Sequence, residues 1–158
     1  MAFALRRLAT GEPVFGLQAA GRLMTEVLAP WVQDLGLLIE GLEASRPVGA
    51  AIDWQPGALL RLPFAPKNCR DGGVVCGQAL MALADTAMVF ACAAAWNGYR
   101  PMTTIDQTMH FLRPVNFDVI ADARVVRVGR TTTFGRVTIA SAADKRPVAM
   151  VSCAYALL

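Results

Sequence analysis

The chain has 158 residues, 55% hydrophobic and 17% charged, with a formal net charge of +3. That length and composition suit one domain with a proper core and exclude a disordered chain; the apolar excess also suggests subunit interfaces. The mild positive charge argues against nucleic-acid binding and suits an anionic small molecule. Four cysteines (Cys69, Cys76, Cys92 and Cys153) form no CxxC pair, and His110 is the single histidine. No metal site is expected, and the free thiols point to a reducing, cytoplasmic compartment.

Residues 1–23 are broken by Gly11, Pro13, Gly16 and Gly21 and read as a loosely attached arm, with Met24 as an alternative start. Met1–Arg7 lacks the apolar run of a signal peptide. From 24 to 43, Leu28, Trp31, Val32, Leu35, Leu38, Ile39 and Leu42 recur at helical spacing, predicting one or two amphipathic helices over one face of the core. Val48–Trp54 and Ala58–Phe64 read as strands around a Gln55-Pro56-Gly57 turn. The loop 65–73 then delivers the chain to a second helix.

That helix, from Gly77 to about Trp96, is apolar almost all round and so predicted to be buried. It has the length of a membrane span. Asp85 at its centre, its alanine-rich composition and the strands that follow favour a core helix, so no membrane is expected. Asn97-Gly98 ends it and Pro101 restarts an extended chain. Strands are predicted over 102–112, with strict alternation, then 115–128, 132–141 and 148–157, as a four-stranded antiparallel meander. The class is α+β: an antiparallel sheet wrapped around one long central apolar helix, with an extra N-terminal helix. Such a sheet has edges and a face to cover, which self-association would satisfy.

Asp85 is the residue that most needs a reason. A carboxylate within an apolar helix loses hydration and either finds partners or does chemistry. Its neighbours favour chemistry. Gly73-Val74-Val75-Cys76-Gly77-Gln78, followed by Leu83-Ala84-Asp85-Thr86-Ala87, resembles the helix start of hotdog-fold acyl-CoA thioesterases of the phenylacetyl-CoA (PaaI) type. There a His-Gly-Gly run precedes an Asp placed nine positions after the His, and here Cys76 precedes Asp85 by nine. Phe111-Leu112-Arg113-Pro114 is similar to the corner closing that family's next strand. The resemblance covers roughly 45–158, leaving 1–44 as an N-terminal arm and amphipathic helix.

The resemblance implies a role for each matching residue. Asp85 would be the nucleophile on the thioester carbonyl or the base that activates water. The Gly77 backbone N–H would polarise the thioester oxygen, which agrees with the free N–H groups at a helix N-terminus. Asn68 would position carbonyl or water, and the Thr104 hydroxyl would orient the attacking water. Cys76 stands where the family has His, Gln78 stands at the second Gly, and Asn68 lies two positions upstream of the family spacing. Cys76 and Gln78 become candidate substrate contacts. Cys76 is also a rival nucleophile, with His110 as its conceivable partner. Arg113 and Arg130 are candidates for the phosphates of coenzyme A.

Gly77 and Asp85 are eight residues apart on one helix, about 12 Å along its axis. If both act on one carbonyl they come from different subunits, so a homodimer or dimer of dimers with interfacial sites is expected. The function implied is hydrolysis of an acyl- or aryl-CoA thioester to the acid and coenzyme A, with no cofactor besides the coenzyme A of the substrate. The alternative is a hotdog protein that binds acyl-CoA without turnover, as sensor or subunit. Dehydratase action is weaker, because no histidine stands near the helix start.

Overall fold

The computed structural model describes residues 15–158. Of the expected arm at 1–23, the part up to residue 14 lies outside these. The remainder enters helix α1 (Leu17–Glu26), which buries Ala20 and Leu23. A single short turn of helix, α2 (Pro30–Gln33), follows with proline at its first position, where the missing N–H costs nothing.

The predicted helix over 24–43 is corrected beyond this point. Leu38–Glu43 is a strand, β1, because Gly36 at φ +70° turns the chain before it and β1 then pairs with β2 (Gly57–Leu62). The sheet therefore begins at Leu38, ahead of the 44/45 boundary read from the sequence. The strand predicted over Val48–Trp54 is a series of turns, with Val48 and Ile52 fully exposed. It has no ladder partner, and the Arg46 guanidinium holds it by donating to the carbonyls of Ala50 (3.0 Å) and Ala51 (2.8 Å).

A 3₁₀ turn at Pro66–Asn68 leads into a minimal hairpin, β3 (Cys69–Arg70) and β4 (Val74–Val75), and then into α3 (Gly77–Ala95). The remaining strands are β5 (Met102–Phe111), β6 (Val119–Val128), β7 (Thr132–Ser141) and β8 (Pro147–Leu157). The main sheet runs β1-β2-β6-β7-β8-β5, antiparallel throughout. Only β6, β7 and β8 form a meander; the predicted four-stranded one is corrected. Arg113-Pro114 ends β5, since proline cannot extend the ladder. The chain then crosses to pair β6 with β2 and leaves β5 on the far edge, beside β8.

α3 lies against the inner face of this sheet, chiefly on β2 and β6. Leu83, Ala84, Ala87, Met88, Phe90 and Ala91 are fully buried there. The helix is long and apolar enough to cross a membrane, yet 67% of that stretch is buried within the fold. Its apolarity is used by the core.

Candidate active site

β5 does not alternate as its sequence suggests. The register with β8 slips between Thr104 and Asp106, so Ile105 is a bulge. A bulge inserts one residue and re-aims those beyond it. Thr104 on one side of it and Gln107 and Phe111 on the other consequently all face α3. They meet it at four-residue intervals: Thr104 at Asp85, Gln107 at Met81 and Phe111 at Gly77. Residues at i, i+4 and i+8 share a helix side, so the strand edge runs along one stripe of α3.

At one end of the stripe stands the Asp85 carboxylate, half-buried. Thr104 Oγ1 donates to its Oδ1 at 2.8 Å. The Tyr155 hydroxyl, from β8, donates to the same oxygen at 2.8 Å. Oδ2 accepts no hydrogen bond among the described residues. Tyr155 is 1% exposed. Burial first, and the Asp85 charge second, push its phenol far above the ordinary tyrosine range, so it is a neutral donor. Asp85 opens into a shallow cleft of about 390 Å³ with Trp31, Gln78, Met81 and Thr104 on its walls.

At the other end, Gly77 begins α3 with free N–H groups. A second cleft of about 450 Å³ opens there, lined by Gly77, Leu80, Phe111, Arg70 and Arg113. The Phe111 ring lies so near that a Cβ on Gly77 would stand 3.1 Å from its Cζ. The two clefts have no lining residue in common.

The other candidates are placed unevenly. Asn68 is buried behind the start of α3. Its carbonyl accepts from the Cys76 N–H at 2.9 Å, while its Nδ2 has no partner. Cys76 is the N-cap of α3 but makes no side-chain cap hydrogen bond. Gln78 is exposed and turns toward the Asp85 cleft rather than the Gly77 cleft. Arg113 is at the Gly77 cleft and donates to the Pro147 carbonyl. Arg130 lies in the β6–β7 turn, beside Leu157 at the opposite end of β8, roughly 30 Å from Pro147 at strand rise. One chain therefore does not bring the two arginines together. His110 alternates with Phe111 and so points away from the start of α3 and from Cys76.

Sequence reasoning missed Tyr155 and Trp31. Tyr155 pairs with Thr104 in the β5–β8 register, a relation that no local pattern discloses. Trp31 reads as a core-covering residue, but its indole is 61% exposed beside Asp85 because α2 ends after one turn. Among the described residues no group of three His, Cys, Asp or Glu is placed to hold a metal ion.

Residues 72–148 match the family model described as the thioesterase superfamily. A curated Halobacterium salinarum protein, provisionally named an esterase, is 37% identical over 92 residues, covering 54% of this chain. The match spans about three fifths of that relative's length. Among solved structures, a conserved protein from Pseudomonas aeruginosa aligns with TM-score 0.71 at 25% identity, covering 85% of this chain and 98% of its own. The E. coli PaaI protein, from the phenylacetic acid degradation operon, aligns with TM-score 0.72 at 21% identity, covering 89% and 91%. At that identity the likeness speaks for the fold.

Proposed function

Taking the chain as a hotdog-fold member of the thioesterase superfamily, we propose that it is an acyl-CoA thioesterase, cleaving an acyl- or aryl-CoA thioester to the acid and coenzyme A. One observation carries the reading. The Asp85 carboxylate, fixed by two hydroxyl donors on Oδ1, keeps Oδ2 free beside a cleft with apolar walls at Trp31 and Met81. An oxygen so placed can attack a thioester carbonyl or take a proton from the water that does.

The developing oxyanion needs a donor, and the Gly77 N–H at the start of α3 supplies one of the right polarity. On the same chain it stands too far from Asp85, so the proposal is a site built by two copies, one giving Gly77 and Asn68, the other Asp85 and Thr104. β5 is an exposed edge strand of ten residues, and pairing it with a second copy would bring these halves together. Arg113, with Arg70 beside the Gly77 cleft, suits the phosphates of coenzyme A; Arg130 would serve only from another copy. Four free thiols suit a cytoplasmic setting for this chemistry.

The test is hydrolysis of a panel of short, long and aromatic acyl-CoAs, with Asp85→Asn alongside. Wild-type turnover that falls about 10²- to 10⁴-fold in the folded variant is expected. Tight acyl-CoA binding without turnover would instead make the chain a binding protein.

A further inference from the structure

We infer that Tyr155 is a positioning residue of this site: with Thr104 it clamps Oδ1 of Asp85, so that Oδ2 alone is presented to the substrate. The inference rests on the thioesterase reading of Asp85 and adds to it a residue from the last strand.

The geometry is specific. Thr104 and Tyr155 are opposite residues in the β5–β8 ladder, and their side chains point to the same side of the sheet. Both hydroxyl oxygens lie 2.8 Å from one carboxylate oxygen. An ionised carboxylate oxygen has about two acceptor positions, so these donors fill Oδ1. A carboxyl group otherwise turns through a broad two-fold well about its last torsion. Two donors on one oxygen stop that rotation and decide which oxygen is free. The Tyr155 hydroxyl also lies 3.5 Å from the Asp85 backbone carbonyl, so it sits over the residue's own backbone as well as its carboxylate.

The two partners are unequal. Thr104 is exposed and shares the cleft with substrate, whereas Tyr155 is wholly buried behind the carboxylate. Its hydroxyl does not line the cleft, and it acts through Asp85. The other titratable groups felt here are Cys153 on β8, Cys92 on α3 and Asp106 on β5. Burial keeps both thiols protonated, near 11 for Cys153 and 12 for Cys92. Asp106 lies beyond the bulge, out of the Thr104–Gln107 alignment. Among these groups Tyr155 is therefore the buried neutral donor that meets the carboxylate directly.

Tyr155→Phe removes one oxygen and keeps the ring. The expected result is a drop in kcat of about 10- to 100-fold, the size of a lost hydrogen bond to a charged group, with KM little changed. A residue that only fills space would leave kcat in place, because Tyr155→Phe keeps the ring. Should the variant fold poorly, fluorotyrosine incorporated in a Tyr99→Phe background changes the donor strength at position 155 alone; kcat should then change while KM stays. Unchanged kcat in Tyr155→Phe, or unchanged kcat with fluorotyrosine, while Asp85→Asn is inactive, would overturn this inference and spare the thioesterase reading. An Asp85→Asn protein as active as wild type would sink both.

Discussion

Gly77 and Asp85 lie two turns apart on one side of α3, and each opens into its own cleft. A spacing of eight residues is about 12 Å along the axis. A thioester carbonyl cannot bridge it, so the thioesterase reading requires the two groups to come from different copies.

Subunit mixing checks this. In Gly77→Ala the new methyl meets the Phe111 ring at 3.1 Å, so either the ring or the start of the helix gives way, and activity should fall. Asp85→Asn removes the carboxylate from the other half. Refolded together in equal amounts, the two impaired proteins should gain activity over the average of the parents, toward about a quarter of wild type. Half of the dimers are then mixed, and each mixed dimer holds one intact site. Activity no higher than that of the parents would place both groups in one chain's site.

Much of this was legible in the sequence, and the failures have physical causes. α3 was legible from the length of its apolar run rather than from a period, since the run has almost no polar face and is far longer than a strand. Leu38, Ile39 and Leu42 misled because three apolar residues at that spacing fit a helix as well as a bulged strand, and the partner that decides, β2, follows after a long loop. Strict alternation in β5 failed at Ile105 because a bulge is set by pairing with β8, not by its own residues. Thr104 was named only through the family resemblance, and its hydrogen bond to Asp85 depends on the bulge beside it. Tyr155 was not, since the contact with Asp85 joins residues 70 apart in sequence.

Gly135 lies on β7 beneath α3, and a Cβ there would collide with Met88 Sδ and stand 3.2 Å from the Arg124 carbonyl. Met88 is fully buried, so its thioether has no open space to enter. Gly135→Ala should therefore destabilise the fold by about 1–3 kcal/mol, as overpacking does. Urea denaturation gives the figure, and Gly135→Ala combined with Met88→Ala should lose less than the sum of the two single losses, because the smaller side chain makes room. A variant as stable as wild type would mean that helix and sheet part easily here. The close contact would then not be what fixes the depth of α3, or with it the height of Asp85 over β5.

Alkali should weaken the fold through its buried thiols and phenol. Burial lifts the Cys92 thiol from its ordinary value near 9.0 to about 12, with Cys153 pushing the same way. Burial, then the Asp85 charge, lifts Cys153 to about 11. Tyr155 is raised for the same two reasons. In the unfolded chain the thiols lose their protons near 9.0, while in the folded chain they keep them. Above that pH the native state holds more protons than the unfolded state, so stability falls as pH rises. The contribution is whole below about pH 9. It is lost progressively as the pH climbs through about 11 for Cys153 and about 12 for Cys92. Within that window each group costs roughly 1 kcal/mol per pH unit. Urea midpoints taken from about pH 8 to about pH 10.5 should decline steadily, and Cys92→Ala, whatever its starting stability, should decline less steeply. A flat wild-type profile over that range would mean that the thiols ionise as easily inside the fold as outside it.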